Sequence, residues 1–133
     1  MRLMPIAAAL IAATAPALAQ TPAKVSEPAP LSPKAAAALA GRTAGKPISC
    51  VRLRDVRSSE IVDETAIIYK LSGKRWLVNF PDGGCASLRP GRVTVTSTPS
   101  TNLCRGDIAR IIDPPTPIEY GSCGLGSFVP YTR

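Results

Sequence analysis

Histidine is absent from all 133 residues. That removes the commonest general base near neutral pH and the commonest neutral metal ligand together. Serine–histidine, cysteine–histidine and zinc–histidine sites are all excluded. Carboxylates are sparse too, with 9 acidic against 16 basic residues and a formal net charge of +7. Asp63-Glu64 is their one adjacent pair, and sequence neighbours point to opposite sides of a strand. The pair reads as a solvated turn before Thr65 rather than an acid–base couple. The 4 cysteines lack any Cys-x-x-Cys spacing, so neither a zinc knuckle nor a redox pair is indicated. A catalyst built on carboxylates or Ser/Lys alone is the weakest reading. The chain is read as non-enzymatic, with no catalytic residue, cofactor or metal.

Long apolar runs are confined to the start. Residues 1–19 carry Arg2, an unbroken apolar stretch over residues 6–13, and the small-x-small triplet Ala17-Leu18-Ala19. This is the layout of a secretory signal cleaved near Ala19, leaving Gln20 first. The stretch is too short to span about 30 Å of hydrocarbon, and Pro5 and Pro16 flank it. It has no twin arginine for the alternative export route. No later segment reaches transmembrane length. The expected location is the periplasm or the medium, with no transmembrane segment after cleavage.

Residues 20–45 form an Ala/Pro-rich linker without aromatics, too poor in large apolar residues to offset its ordering entropy by burial. Inside it a short helix over 33–40 has Ser32 as N-cap, Pro33 at the first helical position and Gly41 as terminator. So short a helix needs docking to persist.

Residues 46–133 read as a small all-β domain of about six strands, an antiparallel roll or partly open barrel stapled by disulfides. The clearest element is a hairpin with a Gly73-Lys74 turn of type II′. That register sets Leu71 opposite Trp76, Tyr69 opposite Val78 and Ile67 opposite Phe80, all on one face. A one-residue slip would bring Lys70 against Trp76 and mix the faces, so the two-residue turn is preferred. Further strands are expected over 50–56, 92–96, 108–112 and 127–129, the last at a sheet edge because of Pro130.

Four cysteines in an exported chain allow three pairings. If the strands run up and down in order, Cys50 and Cys104 fall at one end and Cys85 and Cys123 at the other. A meander therefore favours Cys50–Cys104 with Cys85–Cys123. Gly121-Ser122-Cys123-Gly124-Leu125-Gly126 reads as a tight turn around the second bond, since glycine supplies positive φ. Arg105-Gly106-Asp107 reads as a turn entering a strand.

Among the arginines, Arg52 and Arg54 are expected on one strand face, where they would suit a phosphate or carboxylate partner. Arg75, Arg89 and Arg92 join them as candidates. Residues 46–133 hold 12 basic and 8 acidic residues, too dilute for the dense stripe of a nucleic-acid binder. The partner is expected to be an anionic envelope component or an envelope protein.

Cys50, Arg57-Ser58, Asp63-x-Thr65, Gly83-Gly84-Cys85 and Leu103-Cys104-x-Gly106-Asp107 form a spaced pattern. It ends in Ser122-Cys123-Gly124-Leu125-Gly126-x-Phe128-x-Pro130-Tyr131. Over residues 40–133 this resembles a family of small exported bacterial proteins classed only as a domain of unknown function. The resemblance departs at Ala86-Ser87, where the family pattern has Pro-Gly. It implies an exported cysteine-containing domain and carries no activity or site residues. The expected function is a non-catalytic binding or structural module of the cell envelope. The alternative is an inhibitor of an envelope-directed enzyme, a role open to small stapled β domains with a protruding loop.

Overall fold

The computed structural model describes residues 30–133. The signal over 1–19 and the linker residues 20–29 lie outside the described residues. The described residues begin with a helix, α1 (Pro33–Ala38), followed by strands β1 (Thr43–Ala44), β2 (Cys50–Arg52), β3 (Ser58–Ile61), β4 (Ile67–Lys70) and β5 (Arg75–Asn79). Then come β6 (Val93–Ser97), β7 (Asn102–Cys104), β8 (Ile108–Asp113), β9 (Ile118–Gly124) and β10 (Phe128–Thr132). They form a five-stranded sheet in the order β1-β10-β5-β4-β3, a pair β2-β7, and a three-stranded sheet β6-β8-β9. All pairings are antiparallel. The all-β, disulfide-stapled architecture is as expected, but the described residues form ten short strands in three sheets that do not close into a barrel.

The helix changes the reading of the linker. Ser32 caps it by accepting from the Ala35 N–H at 3.1 Å, and Pro33 starts it. Its one buried stripe, Ala35 with Leu39 just beyond the end, packs on Val62, Ala66, Ile68 and Val78 of the five-stranded sheet. Burying a side chain such as Leu39 contributes about 1.5–3 kcal/mol, the docking that a six-residue helix requires. Beyond it, β1 pairs with β10. The packed unit thus starts before residue 46, and residues 31–44 belong to it.

A helix on one face explains why the expected hairpin register is wrong. Lys70 stands opposite Trp76, Tyr69 opposite Leu77, Ile68 opposite Val78 and Ile67 opposite Asn79, one residue away from the expected pairing. The loop is Ser72-Gly73-Lys74, closed by Leu71 and Ser72 N–H groups on the Arg75 carbonyl. The expectation assumed a single buried face. Here both faces are covered, so the slip costs nothing: Ile68 and Val78 meet the helix, while Ile67, Tyr69 and Leu77 meet the other sheets. Continuous burial along residues 66–69 is the signature of a strand covered on both sides. Lys70 keeps its ammonium out of the core, 2.8 Å from Glu60 and 4.7 Å over the Trp76 ring.

Two other expectations change. Pro130 lies inside the sheet, in β10 between β1 and β5. Its carbonyl accepts from the Gly45 N–H at 2.7 Å, so its missing donor faces the chain just past the two-residue β1 rather than β5. The strand expected over 50–56 stops at Arg52, and Leu53–Asp55 form a 3₁₀ turn.

The main core lies between the five-stranded sheet and the other two. Phe128, Leu77, Leu88, Leu103, Ile111 and Leu125 are fully buried there. Tyr69 meets Phe128 edge to face, with ring centroids 5.7 Å apart.

Candidate functional site

The cysteines pair as Cys50–Cys104 and Cys85–Cys123. The first bond cross-links the directly opposed residues of β2 and β7. The second ties the loop after β5 to the C-terminal end of β9. The simple meander is not the actual path, because β5 neighbours β10 and the chain leaves for another sheet before β6. Cys123 sits in a strand rather than a tight turn, with Gly121, Ser122 and Gly124 in β9 beside it. Gly121 is at φ +138°, and a Cβ there would strike the Ser87 hydroxyl, which donates to the Tyr120 carbonyl at 2.8 Å.

A second cross-tie had no counterpart among the expected site residues. Asn79 is fully buried, and its side chain clamps the Gly126 peptide. Its amide donates to the Gly126 carbonyl at 2.7 Å, and its Oδ1 accepts from the Gly126 N–H at 3.0 Å. Gly126 also lies so close to the Phe80 carbonyl that no Cβ fits. The one sequence signal was a carboxamide at the end of an apolar strand, which must find partners when buried.

Most charged candidates prove to be structural ties. Arg52 and Arg54 do not share a strand face; both approach Asp55, at 2.8 Å and 3.9 Å. Arg89 pairs with Glu64 at 3.3 Å and donates to the Leu88 carbonyl at 2.7 Å. Arg92 donates to the Ser87 carbonyl and stacks 3.7 Å over Tyr120. Together they brace the loop that carries Cys85. Arg105-Gly106-Asp107 is a turn leading into β8: Asp107 accepts from the Cys104 N–H at 2.7 Å, and Arg105 reaches Asp82 at 3.0 Å.

Asp63-Glu64 is a turn, with an added role for Asp63. Its Oδ1 accepts from the Thr65 hydroxyl and from the Thr65 and Ala66 N–H groups, and its Oδ2 accepts from the capping Ser32 hydroxyl. Burial alone would raise its pKa, but the bonds from Ser32, Thr65 and Ala66 outweigh it and hold the carboxyl below its usual range. The Tyr69 hydroxyl is the opposite case. It is buried without a well-formed hydrogen bond, and burial pushes its pKa up to about 12 against a smaller pull from Thr94.

Three surface features remain. An open cleft of about 430 Å³ runs between the helix, the free edge of β3 and the start of β6, lined by Lys34, Ser59, Glu60 and Val93 among others. The β8–β9 connection, Asp113-Pro114-Pro115-Thr116-Pro117-Ile118, is a proline-stiffened tip with Ile118 half exposed at 51%. At the β4–β5 hairpin, Trp76 is covered by Arg42, whose guanidinium carbon lies 3.6 Å above the ring and whose Nη2 donates to the Gly73 carbonyl at 2.9 Å. No described helix is long and apolar enough to cross a membrane.

These features define a disulfide-bonded β domain of three antiparallel sheets with a docked N-terminal helix. Searches of protein-family models, of curated proteins and of solved structures find no match to the chain.

Proposed function

We propose that the protein is an exported, non-catalytic binding or structural module of the cell envelope, directed at an anionic envelope component. The pair of disulfides supports this reading most directly. Such bonds persist in oxidising compartments; here one links the paired strands β2 and β7 and the other ties the loop after β5 to β9, in a domain small enough to need them. The signal-like residues 1–19 agree with it. Ion-paired arginines act as braces, which leaves recognition to the unpaired cations elsewhere.

The test is to express the full chain in a bacterial host, fractionate it and sequence the N-terminus. The reading expects a periplasmic product beginning at Gln20, with both disulfides formed. A membrane-retained product beginning at Met1, or four free thiols in the exported material, contradicts it.

Inhibition of an envelope-directed enzyme is the second reading, favoured by the proline-stiffened tip over residues 113–118. A rigid, exposed loop loses little entropy on entering a partner's cleft. Pull-down from an envelope extract separates the two readings. One stoichiometric enzyme favours inhibition, whereas retention on anionic lipid or glycan favours the first.

A further inference from the structure

Four of the eight described cations that lack an acidic partner gather at one end of the five-stranded sheet. Arg52, Arg89, Arg105 and Arg110 each lie within 4 Å of a carboxylate. Among the described residues, Arg42, Lys74, Arg75 and Arg133 make no such pair, and neither do Lys34, Lys46, Arg57 and Arg92, which lie outside this cluster. They converge: Arg42 bonds to the Gly73 carbonyl, the Arg133 N–H donates to the Lys74 carbonyl at 3.1 Å, and Arg75 stands opposite Thr132. Arg133 is close enough to disfavour the Arg42 charge, an effect secondary to that of burial. Trp76 and the Gly73 carbonyl hold Arg42 in place, so its charge is pre-positioned. Residues 72–75 are all exposed.

Shape decides which anion fits. The cations stand on a hairpin tip, whereas the cleft lies elsewhere, beside β3. A linear polyanion is normally tracked by a groove. A projecting tip that carries cations suits a plane rather than a thread, and the anionic headgroups of a bilayer provide one. We infer that this end, formed by Arg42, Lys74, Arg75 and Arg133 around Trp76, is a contact surface for an anionic lipid bilayer. The inference rests on the proposed binding reading and names its partner.

The experiment uses the oxidised chain lacking residues 1–19, in sedimentation with vesicles of phosphatidylcholine alone or with 30% phosphatidylglycerol. The chain should sediment with the anionic vesicles only and release in high salt. Lys74→Gln/Arg75→Gln alters two exposed side chains and should weaken binding about 30-fold, from the usual contribution of one cation near an anionic surface. Arg52→Gln/Arg54→Gln removes the same net charge and should leave binding within about twofold if location governs. Equal losses in both variants overturn the inference, as does equal binding to neutral vesicles. Polyphosphate, as a soluble polyanion, separates the levels. Binding to polyphosphate but not to vesicles overturns the bilayer and leaves the anionic-ligand reading standing; binding to neither overturns both.

Discussion

The five-stranded and three-stranded sheets solve the same problem differently. The larger is covered on both faces, by α1 on one and by the remaining strands on the other, so residues 66–69 are all buried. The smaller is covered on one face. Along β8 burial alternates: Ala109 and Ile111 are fully buried, Ile108 is 49% exposed, and Val93 of β6 is 41% exposed. One sheet is held chiefly by packing. The other leans on Cys85–Cys123 and the Arg89 and Arg92 braces, and should open first.

The largest effect is expected from that bond. Cys85→Ser/Cys123→Ser should cost about 2–5 kcal/mol. Hydrogen exchange should show β6, β8 and β9 losing protection before β4 and β5. Simultaneous loss in both sheets would mean that they open as one unit.

Next come ties within the doubly covered sheet. Leu39→Ala should cost about 2–4 kcal/mol in denaturant unfolding, because it empties a buried site between the helix and Ile68. An effect near zero would show that the helix adds no stability. Asn79→Asp should cost at least about 2 kcal/mol, since a carboxylate cannot donate to the Gly126 carbonyl and is buried beside it.

Smaller and pH-dependent is the Asp63 latch. Its folded pKa lies below the unfolded carboxylate value of about 3.9, so its contribution is complete above that value and is lost as pH falls through the folded one. Asp63→Asn should flatten that part of the acid limb of a stability–pH curve and destabilise at pH 7 by about 1 kcal/mol. An unchanged acid limb would remove the latch from the account. The smallest effect belongs to the open face: Ile108→Thr should stay within about 0.5 kcal/mol, because the side chain is half in water in the folded state. A large loss there would mean that something covers this face.

Legibility in the sequence follows the same division. In the three-stranded sheet, alternation marked β6 and β-branched residues ahead of Pro114-Pro115 marked β8, each to within a residue. Where both faces are buried, alternation disappears, and the hairpin register could not be chosen without knowing that residues 33–39 dock. The helix itself was legible from Ser32 and Pro33, but its target was not, because four alanines in a row carry no directional pattern. Strands β3, β7 and β9 escaped because they are short or interrupted by serine, asparagine and glycine, and tertiary pairing overrides such weak propensities. The cysteine pairs agree with the expectation although the meander used to reach them is not the path the chain takes. At the candidate site, the arginines were visible as residues, but whether each met a carboxylate depended on contacts across distant segments.

The two disulfides interleave along the chain: 50 joins 104 across 85, and 85 joins 123 across 104. A single backbone cut anywhere between Cys50 and Cys123 therefore releases no fragment, because at least one bond always spans it. A protease that nicks the exposed proline tip over 113–118 leaves one covalent molecule. Its two pieces part only under reduction, so one clipped loop need not end the protein's working life.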